Sequence, residues 1–130
     1  MRARDLMQKQ VVTVTETSTA AEVLDVLQQA HIHGVPVVDA GGALVGFVSQ
    51  EDLLFAGLGT GTAEDATLAR DLMTSPAVTA NEDARIEDVC RLMWQLRIHH
   101  VPVVRDGNIT GILSSLDLCH AVAERRLGER

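Results

Sequence analysis

Aromatic side chains are nearly missing from this chain of 130 residues: Phe, Trp and Tyr together make up 2%, and there is no Tyr at all. A core must therefore be built from Val, Leu, Ile, Ala and Met, and the stacking platforms that a single-strand nucleic-acid binder needs are not there. Positive charge is also scarce, with 11 Lys and Arg against 18 Asp and Glu and a net charge of −7. Such a surface repels DNA phosphates and anionic lipid, so neither nucleic acid nor a membrane is expected as a partner. No run approaches the ~18 consecutive apolar residues of a membrane span, and no signal peptide is visible behind Met1. These two absences lead to the expectation of a soluble, cytoplasmic protein. Cys90 and Cys119 lack metal-type spacing; both lie in apolar helical stretches and are expected as buried free thiols. No nucleophile–base pair and no Walker-type loop is visible, so an enzyme is not expected.

What is present is 46% hydrophobic residues, enough for a core, and a repeat. Ala3-Arg-Asp-Leu-Met7 recurs as Ala69-Arg-Asp-Leu-Met73, an offset of 66. Val12-Thr13 matches Val78-Thr79, Ile32-His33 matches Ile98-His99, and Val35-Pro-Val-Val38 matches Val101-Pro-Val-Val104. One residue drops out where Asp39-Ala-Gly-Gly42 becomes Arg105-Asp-Gly107, and at the new offset of 65 Gly46, Ser49 and Asp52 match Gly111, Ser114 and Asp117. The chain divides into a first repeat over 1–56, a Gly-rich polar linker over 57–68, a second repeat over 69–118 and a helical tail over 119–130.

Each repeat reads as β-α-β-β-α, an α+β unit. The first predicts a short strand over 11–14, and a helix over 17–31 whose Thr19 and Glu22 fit a capping box. A strand over 35–38 follows, with Pro36 at its start or edge, then a turn, a hairpin partner over 44–48 and a second helix from Ser49. The second repeat predicts the same over 77–80, 83–97, 101–104, 109–113 and 115–127. Apolar residues on the first helix of each repeat cover an arc of roughly 200° at ~100° per residue, against ~100° for an ordinary surface helix. Units of ~60 residues are marginal alone, so that surface calls for a partner, either the other repeat or a second copy in a homodimer.

Gly46-Phe-Val-Ser49-Gln-Glu-Asp52 and Gly111-Ile-Leu-Ser114-Ser-Leu-Asp117 each run from a strand end into a helix. A carboxylate at such a corner suits two vicinal ribose hydroxyls, and free amides at a helix start favour an anion. The same Ser-x-x-Asp spacing is also a capping box that needs no ligand, and one residue can serve both roles. His31-x-His33 and His99-His100 could contribute to a metal site, but no acidic or thiol ligand is spaced to join them, so no metal is expected.

The paired β-α-β-β-α repeats, each with Val-Pro-Val-Val and a closing Gly-x-x-Ser-x-x-Asp, resemble the cystathionine-β-synthase (CBS) domain pair over Arg4 to about Leu118. The resemblance implies two repeats related by a pseudo-two-fold axis, a common homodimer, and clefts between the repeats for AMP, ADP, ATP, S-adenosylmethionine or NAD(H), with no required cofactor. It implies a regulatory sensor acting on an effector protein that the sequence does not identify. By the same resemblance Asp52 and Asp117 hold ribose hydroxyls, and Ser49 and Ser114 touch ribose or phosphate. His33, His99, His100 and Arg97 reach the phosphate, and Val12, Thr13, Val78 and Thr79 line the base, with further walls from Ile32, Val35, Ile98 and Val101. A protein-interaction module with vestigial ligand sites accounts for the same helices.

Overall fold

The structure is a computed structural model and describes residues 1–55 and 67–124. Residues 57–66 of the predicted linker over 57–68, and 125–130 of the predicted tail over 119–130, lie outside the described residues. Along the chain run α1 (Ala3–Leu6), β1 (Val14–Thr15), α2 (Ala20–Ala30), β2 (Gly34–Val38), β3 (Leu44–Ser49), α3 (Gln50–Phe55), α4 (Ala69–Leu72), β4 (Ala80–Asn81), α5 (Ile86–Leu96), β5 (His100–Arg105), β6 (Asn108–Ser114) and α6 (Ser115–Ala123). The β-α-β-β-α order expected from sequence is present twice, each time behind a one-turn helix.

The compact units and the sequence repeats divide the chain differently. Unit 1 is Met1–Val11 together with Val78–Arg130, and unit 2 is Val12–Ala77. The segment bearing Ala-Arg-Asp-Leu-Met therefore packs with the body of the other repeat, in both copies. In unit 1, Ala3 N–H donates to Ala84 O (2.8 Å) and Arg4 N–H to Glu82 O (3.1 Å). In unit 2, Ala69 N–H donates to Ser18 O (2.8 Å) and Arg70 N–H to Glu16 O (3.1 Å). Beyond each helix one residue pairs with the hairpin's outer strand, Gln8 with Ile112 and Thr74 with Phe47.

The motif glycines make this docking possible. A Cβ on Gly46 would stand 2.6 Å from Met73 Sδ and 2.8 Å from Thr74 O. One on Gly111 would collide with Met7 Sδ and stand 3.0 Å from Gln8 O. Only a residue without a side chain lets the segment approach so closely.

Each unit holds one three-stranded sheet. In unit 2 the order is β1-β2-β3, and in unit 1 it is β4-β5-β6. The first pair in each is parallel and is joined through the long helix, as a parallel crossover requires. The second pair is an antiparallel hairpin. Both hairpins shift register at the same place, between Val37 and Val38 and between Val103 and Val104, so the missing residue of the second repeat is taken up in the turn alone. Asp106 and Gly107, with φ of 52° and 84°, close a two-residue turn of the type that Asp-Gly favours. The longer turn is held by Asp39 Oδ1, which accepts from the amides of Gly41 and Ala43, both at 2.9 Å.

Several local expectations are corrected. The first strands are Val14–Thr15 and Ala80–Asn81 rather than 11–14 and 77–80, because they find partners only at Val37–Val38 and Val103–Val104. Pro36 and Pro102 sit in the middle strand of each sheet, not in an edge strand. They are tolerated because the first strand does not reach them, so the missing N–H faces no ladder partner. The long helices begin at Ala20 and Ile86, later than the 17 and 83 expected; Ser18 Oγ accepts the Thr15 amide at 3.1 Å and holds the preceding segment in a turn. Cys119 is exposed and only Cys90 is half-buried. Helix α6 buries Leu118 and Ala121, which leaves Cys119 on its outer side. Burial raises the Cys90 thiol pKa, and the nearby Glu87 carboxylate adds to the effect.

Two separate cores result. That of unit 2 gathers Val23, Leu27, Val35, Val37, Val48 and Leu53, and that of unit 1 gathers Leu6, Ile86, Val89, Val101, Val103 and Leu113 among others. None of the buried residues of either core is aromatic, in keeping with the shortage of aromatics.

Candidate functional site

At one end of each sheet the start of the middle strand meets the end of the third strand and the start of the following helix. In unit 2, Gly34 pairs with Ser49, and the Gln50 amide donates to His33 O at 2.8 Å. In unit 1, His100 pairs with Ser114, and the Ser115 amide donates to His99 O at 2.9 Å. Backbone pairing alone thus brings His33, Ser49 and Asp52 together in one unit, and His99, His100, Ser114 and Asp117 together in the other.

Both Ser/Asp pairs are capping boxes. The Ser49 amide donates to Asp52 Oδ2 at 2.7 Å, and the Asp52 amide donates to Ser49 Oγ at 3.2 Å. The Ser114 amide and hydroxyl donate to Asp117 Oδ2 at 2.9 and 3.0 Å, and the Asp117 amide donates to Ser114 Oγ at 3.2 Å. Two of the first three amides of each helix are therefore satisfied within the chain, at residues 50 and 52 and at 115 and 117. The capping box expected as the alternative role of Ser-x-x-Asp is therefore formed at both helix starts, and it leaves fewer amides free for an anion.

The carboxylates differ. Asp117 Oδ1 accepts a hydrogen bond from Gln8 Nε2 at 3.1 Å; among the described residues no such bond reaches Asp52 Oδ1. Both aspartates and both serines are half-buried, open on one side to solvent.

The histidines are anchored to the helices that follow. His33 Nδ1 lies 2.8 Å from Gln50 Oε1. His99 Nδ1 lies 3.3 Å from Ser115 Oγ. Both rings are exposed, and His100 is half-buried. Arg97 takes a left-handed conformation (φ 57°) at the end of α5, and its guanidinium stacks over Trp94 at 4.8 Å. His31 holds the same conformation (φ 55°) at the end of α2.

Of the predicted base-lining residues, Val35 and Val101 are corrected: both are 0% exposed. The pleat turns them into the cores, where they offer no surface to a ligand. Val12, Thr13 and Thr79 are exposed, and Val78, Ile32 and Ile98 are half-buried. In unit 2 a hollow of about 410 Å³ opens beside the corner, with Leu24, Leu27 and Ile32 as apolar walls and His31, His33 and Gln50 on its rim. Gln8 and Gln50 were not singled out from sequence. Nothing in their local pattern marks them, because each matters through a residue brought near by the fold. Among the described residues, no group of three or more His, Cys, Asp or Glu could hold a metal ion, and no helix is long and apolar enough to cross a membrane.

Two β-α-β-β-α units in one chain, each carrying the same serine–aspartate corner, define a tandem-repeat α+β protein. The chain belongs to the CBS-domain family: the CBS domain pattern matches residues 3–59 and again residues 69–124, so the protein is a tandem CBS pair. The CBS domain pair of protein MJ0100, solved in complex with 5-methylthioadenosine and S-adenosyl-L-methionine, shares the fold at a TM-score of 0.87 and 26% identity, over 96% of this chain and 98% of that one. CBSX2, solved in complex with AMP, gives a TM-score of 0.83 at 27% identity, again over 96% and 98%. Inosine-5′-monophosphate dehydrogenase of Methanocaldococcus jannaschii is 33% identical over 119 residues, 90% of this chain and 23% of that enzyme. The chain spans 23% to 59% of the length of the first curated relatives that it matches.

Proposed function

We propose that this protein is a regulatory module that binds an adenosine-containing nucleotide and has no catalytic activity of its own. The observation that carries the reading is the duplicated corner: a half-buried aspartate, fixed by its capping serine at the end of a strand, twice in one chain. A carboxylate held in place without being consumed is suited to accept from a ribose diol. At Asp52 the cap occupies one oxygen, which leaves the other for a ligand. The ligands of the two solved CBS pairs share adenosine and differ beyond it, which supports the nucleoside as the common requirement and AMP, ADP, ATP, S-adenosylmethionine or NAD(H) as the range. The phosphate falls to His33, His99 and His100, since most of the nearby helix amides are already bonded. Arg97 would have to leave Trp94 to join them.

The serines support a binding role over a catalytic one. Ser49 and Ser114 Oγ accept the amides of Asp52 and Asp117, and His33 and His99 are turned to Gln50 and Ser115 rather than to either of those serines. The protein is proposed to work in the cytoplasm, where such nucleotides are abundant, and as a homodimer. Trp94, 69% exposed, and Leu96 extend the apolar arc of α5 beyond what the chain covers.

Isothermal titration of AMP, ADP, ATP, NAD and S-adenosylmethionine tests the reading. Binding by at least one compound, weakened by Asp52→Ala, is expected. At ~100 times its dissociation constant that ligand should add about 2.7 kcal/mol to stability. No binding by any of them at millimolar concentration overturns it. The exposure of Trp94 and of Phe55, 91% exposed, would then favour an interaction module whose corners serve only as helix caps.

A further inference from the structure

We propose that Gln8 blocks the Asp117 carboxylate, so that the two corners are unequal and the one carrying Asp52 takes the adenosine ligand first. The proposal rests on reading both aspartates as acceptors of ribose hydroxyls.

The argument is one of hydrogen-bond capacity. An ionised carboxylate offers about four lone-pair sites, and a ribose diol asks for two. Among the described residues Asp52 spends one, on the Ser49 amide, so about three remain by that inventory. Asp117 spends three, on the Ser114 amide, the Ser114 hydroxyl and the Gln8 side-chain amide. About one then remains, too few for a diol. Release of Gln8 alone would restore about two, the number required.

The block is built into the exchange of the leading segments. Gln8 is held beside Asp117 by paired backbone bonds to Ile112, at 2.8 and 3.0 Å. The backbone cannot leave without breaking that bridge, but the side chain is exposed and free to swing away. Its counterpart 66 positions on, Thr74, makes the same bridge to Phe47, at 2.9 and 3.0 Å. Its side chain is shorter, and among the described residues it makes no bond to Asp52. The same docking therefore places a donor over one carboxylate and leaves the other open. Ligand at Asp117 must displace Gln8; at Asp52 no side chain among the described residues stands in its place. The device grades the two corners for different ligand concentrations.

AMP and S-adenosylmethionine serve as probes in titration calorimetry. In the otherwise unaltered protein, Asp52→Ala should remove the tighter binding and Asp117→Ala should spare it. The reverse order overturns the proposal. In the Asp52→Ala background, Gln8→Thr should strengthen the remaining binding about fivefold, the equivalent of one ordinary net hydrogen bond. Gln8→Thr installs the residue that the other unit carries at this place and keeps the backbone bridge, so folding is not at issue; Gln8→Ala should act the same way. Affinity that is unchanged or lowered by both substitutions overturns the block while leaving the ribose reading intact. Failure of both probes to bind the unaltered protein and every variant sinks the ribose reading, and the block with it.

Discussion

In unit 2 the long helix begins on Thr19 and sets Ala20 against the sheet; in unit 1 the equivalent helix begins on Arg85 and sets Ile86 there. Thr19 makes a complete capping box with Glu22, with bonds of 2.9 and 3.1 Å. Arg85 makes no side-chain cap and instead pairs with Glu87 at 2.7 Å. The hairpins share a bulge and a close-approach glycine, and both corners share a serine–aspartate box. Features that set the path of the backbone are thus duplicated faithfully, while the side chains that fill and end the elements differ. The lesson is that register and close approach tolerate little variation, whereas volume can be supplied from either side of a core.

The largest test of that contrast is Ile86→Ala, which gives unit 1 the residue that unit 2 has at Ala20. Ile86 is fully buried among Val89, Val101 and Leu113, so the substitution should cost about 3 kcal/mol in urea unfolding, from lost burial and the cavity left behind. A cost below about 1 kcal/mol would mean that the site collapses and that the two cores are filled alike. Next come the glycines. Gly46→Ala and Gly111→Ala should each cost about 1–3 kcal/mol, because the docked segment must move. Gly46→Ala should cost more, since its Cβ meets a carbonyl at 2.8 Å rather than 3.0 Å, and a carbonyl yields less than a methionine side chain. Equal and negligible costs in both variants would show that the segments dock loosely.

The smallest effect belongs to the helix starts. Thr19→Ala should cost about 1 kcal/mol, while Arg85→Ala should stay within about 0.5 kcal/mol. The Thr19 amide and hydroxyl hold the Glu22 pKa below its ordinary 4.5. A carboxylate with a lowered pKa in the folded state contributes stability above its unfolded pKa and loses it as pH falls through the folded one. The cost of Glu22→Ala, which removes that carboxylate, should therefore be full at neutral pH and shrink below pH 4.5. A cost that is independent of pH would assign the cap to the hydroxyl alone.

Much of this was legible in the residues. The order of elements followed from apolar periodicity and turn residues, and the Thr19–Glu22 box and both Ser/Asp boxes are present at the expected positions. What escaped were the effects of partners distant in sequence. Val35 and Val101 were expected from the resemblance as further ligand walls, and their burial puts them in the cores instead. Cys119 lies in an apolar stretch but on the outer side of its helix. Pro36 read as a residue of a strand start or edge, yet it sits inside a middle strand at a level that β1 does not reach.

By itself the sequence determined that there are two copies of one unit, what each contains, and that aliphatic side chains must fill both, because periodicity, turn chemistry and the offset of 66 are properties of the chain alone. It did not determine where the Ala-Arg-Asp-Leu-Met segments dock. Both repeats carry the same segment and the same glycine-floored groove, so docking onto its own repeat or onto the other satisfies the same local bonds. Only the tertiary structure decided for the exchange, in which Met1–Val11 joins Val78–Arg130. With that choice came a contact that sets the two corners apart, the amide of Gln8 on the carboxylate of Asp117.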